Sequence, residues 1–183
     1  MIRKLILIVV LLAVLAAAAY GGRKGYRSWQ TKNALKQARA AIAKSDLNSA
    51  LIWTRKAISR DSRNIEAVRL MGDFAEAARL PVALQWRSQL VDLEPNSTTN
   101  RILLAKLAIL NSEPLIAKNA LGGVSPEGRK TTEYLGASAS LAMVSGQAQE
   151  AVTQFEELVR LDPKNPVPQV NLAMILAQRD DPK

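Results

Sequence analysis

The sequence predicts an all-α protein in which one transmembrane helix precedes a solenoid of about four and a half helical hairpins. Three observations lead to this prediction. An uncharged apolar run lies near the N-terminus, small residues recur every 33 or 34 positions, and glycine or Asp-Pro signals stand where predicted helices should end. The 183-residue chain is therefore divided into a basic tail at 1–4, a transmembrane helix at 5–22, a basic juxtamembrane linker at 23–30 and a repeat domain at 31–183.

The composition argues against most kinds of catalytic and metal site. The chain has no Cys and no His. It therefore lacks disulfides, thiol nucleophiles, imidazole bases and the commonest ligands of transition metals. It also lacks a phosphate-binding glycine loop and a pair of carboxylates placed to face each other across a cleft. We expect a protein that is not an enzyme, with no catalytic residue, metal or cofactor.

The positive charge is concentrated near the N-terminus. The net charge is +9, and residues 23–69 carry twelve Lys and Arg against three Asp and Glu. A nucleic-acid-binding surface would be more widely basic and richer than 4% in aromatic residues, so we do not expect nucleic acid as the partner. A basic stretch beside an apolar run is instead suited to anionic lipid.

The apolar run at 5–22 has the length and flanks of a membrane anchor. Its 18 uncharged residues would form a helix of about 27 Å, close to the roughly 30 Å hydrocarbon core of a bilayer. An alternative is a cleaved secretory signal, since Ala17-Ala18-Ala19 offers a small-residue cleavage site. Aromatic and basic residues mark the expected membrane interface, namely Tyr20, Arg23, Lys24, Tyr26, Arg27 and Trp29.

The orientation signals conflict. The longer basic flank follows the apolar run and favours a cytoplasmic repeat domain, whereas the Arg3-Lys4 start favours an external one. We expect a single-pass protein of the bacterial inner membrane, with the repeat domain outside the cytoplasm.

Small residues recur with one period through the rest of the chain. Fixed periods in this range are typical of solenoids built from repeated helical pairs. One register marks the predicted first helix of each unit, and a second register marks the helix that follows it. The first register is Ala38, Gly72, Ala105, Ala139 and Ala173, and the second is Ala50, Ala83, Ala117 and Ala151.

The last complete unit shows the hairpin pattern most clearly. Residues 132–143 have helical spacing of apolar and small side chains, and Ser145-Gly146 then breaks the helix. Residues 149–161 form the second predicted helix, which Asp162-Pro163 ends because proline cannot continue a helix. Each unit is therefore predicted to be a pair of antiparallel helices.

This pattern resembles the tetratricopeptide repeat family over about residues 31–183. The matching residues in the last complete unit are Ala139, Gly146 and Ala151-x3-Phe155-x2-Leu158-x4-Pro163. The resemblance implies a curved stack whose inner wall, formed by the first helices, binds unidentified protein partners. The wall residues that it implies are Arg39, Glu66, Arg69, Asp73, Thr99, Ile102, Lys106, Glu133, Ser140 and Met143.

Two units depart from the family pattern. In the third, Gly122-Gly123 and Pro126 interrupt the second helix, so residues 122–130 are predicted to form a remodelled loop. In the fifth, only a first helix at 168–178 is recognisable. That helix either caps the stack with a polar outer face or belongs to a natural chain that continues past Lys183.

Together these observations predict a membrane-anchored adaptor or scaffold without catalysis of its own. Two alternatives remain open at this point. The chain could be the anchor and repeat section of a longer envelope enzyme or assembly factor. Its basic stretch could instead be a surface that binds anionic lipid or nucleic acid.

Overall fold

A computed structural model describes the backbone of residues 2–180 and the side chains of residues 21–177, except that of residue 24. All the regular structure in this part of the chain is helical, with a short 3₁₀ turn at Gly128–Lys130. The α-helices are α1 Ile2–Ala43, α2 Leu47–Arg60, α3 Ile65–Ala77, α4 Ala83–Leu93, α5 Thr98–Leu110, α6 Pro114–Gly122, α7 Thr132–Val144, α8 Ala148–Leu161 and α9 Pro166–Asp180.

Local sequence signals explain where several helices begin. The starts of α2, α3, α5 and α7 carry a side chain whose oxygen accepts a hydrogen bond from the backbone N–H three residues later. Such caps satisfy N–H groups that have no partner within the helix. The four capping residues are Asp46, Asn64, Ser97 and Thr131.

The turns between helices repeat one unusual backbone conformation. Ser45, Arg79, Ser112 and Gly146 all have positive φ, between 53° and 73°. They are 33 or 34 residues apart, so the period found in the sequence is also a period of backbone geometry. Only Gly146 adopts this left-handed conformation without a steric cost from its side chain.

The chain divides into two compact units at residue 78. In unit 1, residues 1–78, the second half of α1 packs along α2, and α2 packs on α3. A cluster of Ala34, Leu35, Ala57 and Ala67 forms the core, and Trp53 packs against its edge. The residues of α1 predicted to be a linker, 23–30, are helical, so α1 runs without a break into the packed region that begins at Thr31.

Unit 2, residues 79–183, contains two apolar clusters. One is shared by α5, α6 and α7, and it includes Ala105 and Ala117 from the two small-residue registers. The other joins α7, α8 and α9 around Phe155, which is 2% exposed. The hairpin predicted at residues 132–161 is therefore present, with α7 and α8 packed side by side.

The remodelled loop of the third unit is held by the protein's own hydrogen bonds. Helix α6 ends at Gly122, and Arg129 donates to the carbonyl oxygens of Gly122 and Val124, both at 3.0 Å. Val124 is buried, and a Cβ added to Gly128 would lie 2.7 Å from Thr98 Oγ1. The loop is thus a packed part of unit 2.

The fifth unit differs from the polar cap that the sequence suggested. Helix α9 packs on α8 through Ile175 and Leu172, and Asn171 is half-buried. Its outer side exposes apolar residues, among them Val170 and Met174. Gln169 is exposed beside them, so the described outer face of α9 is mixed rather than polar throughout.

Within the residues whose side chains are described, no helix is both long and apolar enough to cross a membrane. The anchor predicted at 5–22 falls, over residues 5–20, outside that part of the chain.

Candidate protein-binding surface

The first helices of unit 2 form the walls of a groove. Between α7 and α9 lies a cavity of about 420 Å³, and Phe155 and Leu158 of α8 contribute to its lining. Gly136 and Ser140 line it on the α7 side, while Val167, Pro168 and Asn171 line it on the α9 side. An apolar floor between polar walls is the usual construction of a site that takes up part of another molecule.

A second cavity, of about 350 Å³, continues along α5. It is lined by Thr99, Ile102 and Leu103 of α5 and by Thr131 at the start of α7. Lys106 and Glu133 line both cavities. We call the two cavities together the inner groove.

The charged side chains of the inner groove are of both signs. Lys106 is exposed and makes no ion pair with any described residue. Glu133 accepts a hydrogen bond from the Thr132 hydroxyl at 3.3 Å, and Asp162 lies at one end of the α7–α9 cavity. The groove therefore offers both an ammonium and carboxylates to a bound segment.

Gly136 keeps the middle of the inner groove open. It lies within α7, where an alanine would be the better helix former. A Cβ added at this position would have no heavy atom within 4 Å, apart from its own helix and chain neighbours. The missing side chain therefore leaves space on the groove side of the helix.

Five of the wall residues implied by the family resemblance line the inner groove, namely Thr99, Ile102, Lys106, Glu133 and Ser140. Met143 is exposed on α7 but is not among the residues that line these two cavities. The role of all six in binding stays a prediction.

The wall residues predicted in unit 1 already have interaction partners. Arg39 of α1 and Glu66 of α3 form a bidentate ion pair. The hydrogen bonds and negative charge of Glu66 raise the pKa of Arg39. Arg69 and Asp73 of α3 also interact with partners. A ligand would have to compete with these contacts.

Several lining residues were not predicted. Phe155 and Leu158 were assigned to the packing of the hairpin, yet they also reach the floor of the groove. Gly136 and Val167 could have been found, since they stand 34 residues after Ile102 and Glu133 in the same registers. Asn171 lies 34 residues after Ala137, but no feature of the sequence marks it as a residue that lines the groove.

The predicted membrane-interface residues lie on the surface of α1. Tyr26 and Trp29 are 60% and 61% exposed, and their rings stack with centroids 6.0 Å apart. Arg23 and Arg27 are exposed beside them, while the side chains of Tyr20 and Lys24 lie outside the described residues. An exposed aromatic pair with neighbouring cations is typical of a headgroup-level interface.

The net charge belongs entirely to unit 1. Residues 1–78 carry fourteen Lys and Arg against five Asp and Glu, a net +9, whereas residues 79–183 carry eleven of each.

Among the described residues, no group of three or more acidic side chains is placed to hold a metal ion.

The fold is similar to that of several solved proteins. The MamA crystal structure matches with a TM-score of 0.69 at 18% identity, covering 82% of this chain and 82% of that chain. MamA from Desulfovibrio magneticus RS-1 matches with 0.72 at 14%, covering 83% and 86%. YrrB, described as a TPR protein with an unusual peptide-binding site, matches with 0.65 at 18%, covering 80% and 76%.

No protein-family model and no curated protein sequence matches the chain. At these low identities the structural likeness concerns the fold alone. It confirms the predicted all-α architecture of helical hairpins, and the chain has the tetratricopeptide-repeat fold.

Proposed function

We propose that this protein is a membrane-anchored, non-catalytic adaptor that holds a segment of another protein in the inner groove of unit 2. The observation that carries the proposal is the groove itself, with its floor of Phe155 and Leu158 and its open centre at Gly136. An apolar side chain of a partner can displace water from that floor, and backbone or charged groups can pair with the polar walls. The peptide-binding site named for YrrB supports this use of the fold.

The test is to fill the groove without disturbing the helices. Gly136→Leu places a bulky side chain in the open centre, and Gly122→Leu is the matched control because a Cβ there also meets nothing within 4 Å. Gly122 ends α6 and is not among the lining residues of the inner groove. The full chain would be crosslinked in intact membranes, purified, and its bound proteins identified by mass spectrometry.

We expect the same partner to be recovered with the wild type and with Gly122→Leu, and to be lost with Gly136→Leu. Recovery of that partner with Gly136→Leu at the wild-type level would reject the inner groove as the binding site. Recovery of no specific protein with any of the three chains would reject the adaptor function.

The membrane part of the proposal places unit 1 beside the lipid headgroups. The apolar run at 5–22 would span the bilayer, and α1 continues as one helix from Ile2 to Ala43 into the core of unit 1. From residue 22 to Thr31 such a helix rises about 14 Å, so the basic residues of unit 1 would lie within reach of an anionic surface. The exposed stacked pair Tyr26 and Trp29 supports the same placement.

For the location we propose the bacterial inner membrane, with the repeat units outside the cytoplasm. Because the chain has no Cys, Ser62→Cys provides a single thiol in the exposed turn after α2. A membrane-impermeant maleimide should label this thiol in intact cells. Labelling only after lysis would place the units inside, and a mass lower by about 2 kDa would identify residues 5–22 as a removed signal.

A further inference from the structure

The first helices of unit 2 give the inner groove an uneven distribution of charge. Within the part of the chain that the structure describes, α5 contributes the cation Lys106 to the lining, and α7 contributes the anion Glu133. A third charged residue, Asp162, follows α8 and lines the α7–α9 cavity. Residues 166–178 of α9 contain no charged side chain. From α5 to α9, the walls therefore offer a cation, an anion and then an uncharged surface.

The charges of Lys106 and Glu133 are available to a bound molecule. Both residues are exposed and line both cavities, yet they form no ion pair with each other. Lys106 makes no hydrogen bond with any described residue, and Glu133 accepts one from the Thr132 hydroxyl at 3.3 Å. A ligand can therefore pair with either group without first breaking an ion pair within the protein.

The two charges do not belong to the repeating pattern. The residue 34 positions after Lys106 is Ser140, and the residue 34 positions before Glu133 is Thr99, so neither charge recurs in the neighbouring first helix. The residues that pack the hairpins, in contrast, keep their small size from unit to unit. The charge pair is thus a feature of this groove and is not required for the stacking of the helices.

The spacing of the two charges fits a short stretch of polypeptide. Ser140, the equivalent of Lys106 in α7, lies seven residues after Glu133, which is about 10 Å along the helix. Side chains in a helix lean toward its N-terminus, so the Lys106 ammonium can approach the level of Glu133. An extended segment covers about 3.3 Å per residue, so two of its side chains within about three positions of each other can reach both charges.

We propose that the inner groove selects a protein segment that presents an acidic side chain to Lys106, a basic side chain to Glu133 and an apolar side chain to Phe155 and Leu158, in that order. The order follows from the sequence of the walls, and the basic residue is in the middle whichever way the segment runs. Asp162 adds to the attraction for the basic residue. A segment with the opposite order places like charges together and is rejected. This inference rests on the proposed adaptor function and adds the chemistry of the bound segment.

The test exchanges the two charges and reads the change in preference. The probe is a phage-displayed library of random peptides of about 12 residues, long enough to span both cavities when extended, selected against the full chain in detergent micelles. Lys106→Glu/Glu133→Lys exchanges the charges of the groove. Lys118→Glu/Glu150→Lys is the matched control, because both residues are exposed, neither lines the inner groove, and Glu150 lies in the first turn of its helix as Glu133 does.

We expect the wild type and the control to enrich peptides in which a basic residue stands between an acidic and an apolar one. The exchanged variant should enrich peptides in which the acidic residue stands in the middle. A synthetic peptide from the wild-type selection should bind the exchanged variant at least about tenfold more weakly. Lys106→Gln, a smaller change, should remove only the preference for the acidic residue. Enriched peptides without this order, or an order that the exchange leaves unaltered, would overturn the inference.

A selection against Gly136→Leu separates this inference from the proposed function. Loss of all wild-type peptides is expected, because the leucine fills the open centre of the groove. If the peptides are lost but had shown no charge order, the inference fails and the groove remains the binding site. If they bind Gly136→Leu as well as the wild type, they bind elsewhere, and both the groove and the inference are rejected. No enrichment on the wild type would overturn the inference, while the crosslinking experiment would still decide the adaptor function.

Discussion

The most informative stability experiment replaces Gly136 with alanine. Gly136 lies inside α7, and a Cβ added there meets no heavy atom within 4 Å beyond its own helix and chain neighbours. The substitution therefore adds no clash, while it reduces the conformational freedom of the unfolded chain and improves helix propensity. We expect Gly136→Ala to raise the free energy of unfolding by about 0.5–1 kcal/mol. For a chain of this size that corresponds to a Tm increase of roughly 1–4 °C.

The control is the same substitution at a glycine that has no free space. A Cβ added to Gly128 would lie 2.7 Å from Thr98 Oγ1 and 2.8 Å from Val124 Cγ1, which is closer than van der Waals contact. We expect Gly128→Ala to lower the free energy of unfolding by about 1–3 kcal/mol. Both variants would be measured by urea and thermal unfolding, followed by circular dichroism at 222 nm. If Gly136→Ala destabilised the protein, α7 would be closely packed at this position and the inner groove would not be open.

Three further predictions concern packing, backbone and charge. Phe155→Ala should lower the free energy of unfolding by about 3–5 kcal/mol, because its buried aromatic ring joins α7, α8 and α9. Urea unfolding would measure this change, and a loss below about 1 kcal/mol would contradict that packing. Ser112→Gly should stabilise the protein by up to about 1 kcal/mol, since Ser112 has a φ of 59°, and a loss of stability would show that its side chain is needed. Hydrogen bonds from Ser49 lower the pKa of Asp46, so its contribution to stability is present at neutral pH and disappears as the pH falls through that lowered pKa. The difference in the free energy of unfolding between wild type and Asp46→Asn should therefore begin to shrink as the pH falls below about 4, and it should disappear only below the lowered pKa of Asp46. A difference that stays constant with pH would contradict this account.

The helices of the repeat units could be predicted closely, because their signals are local. The second helix predicted at 149–161 is observed as Ala148–Leu161, and the interruption predicted at Gly122-Gly123 is where α6 ends, with Gly122 as its last residue. Capping residues, glycines and Asp-Pro pairs act within a few residues of the helix end that they determine. A fixed period then places the same signals in each unit.

The candidate site could be predicted only in part. The family resemblance implied Lys106, Glu133 and Ser140 as wall residues, and all three line the groove. It could not identify Phe155 and Leu158 as the floor, since their spacing is that of ordinary core residues. Nor could it show that Arg39 is paired with Glu66 across two helices, a contact between residues 27 positions apart.

The sequence by itself determined the period, the helical hairpins, the absence of thiol and imidazole chemistry, and the concentration of positive charge in residues 1–78. These properties are local or additive, so they need no knowledge of which helices meet. The tertiary structure decided where space is left between helices, which is why Gly136 opens a groove while Gly128 is tightly packed. It also decided which apolar faces stay uncovered, since Ala139 is buried by α8 and its equivalent Ala173 is exposed. Both depend on the packing of side chains that are distant in the chain, which a repeat pattern does not specify.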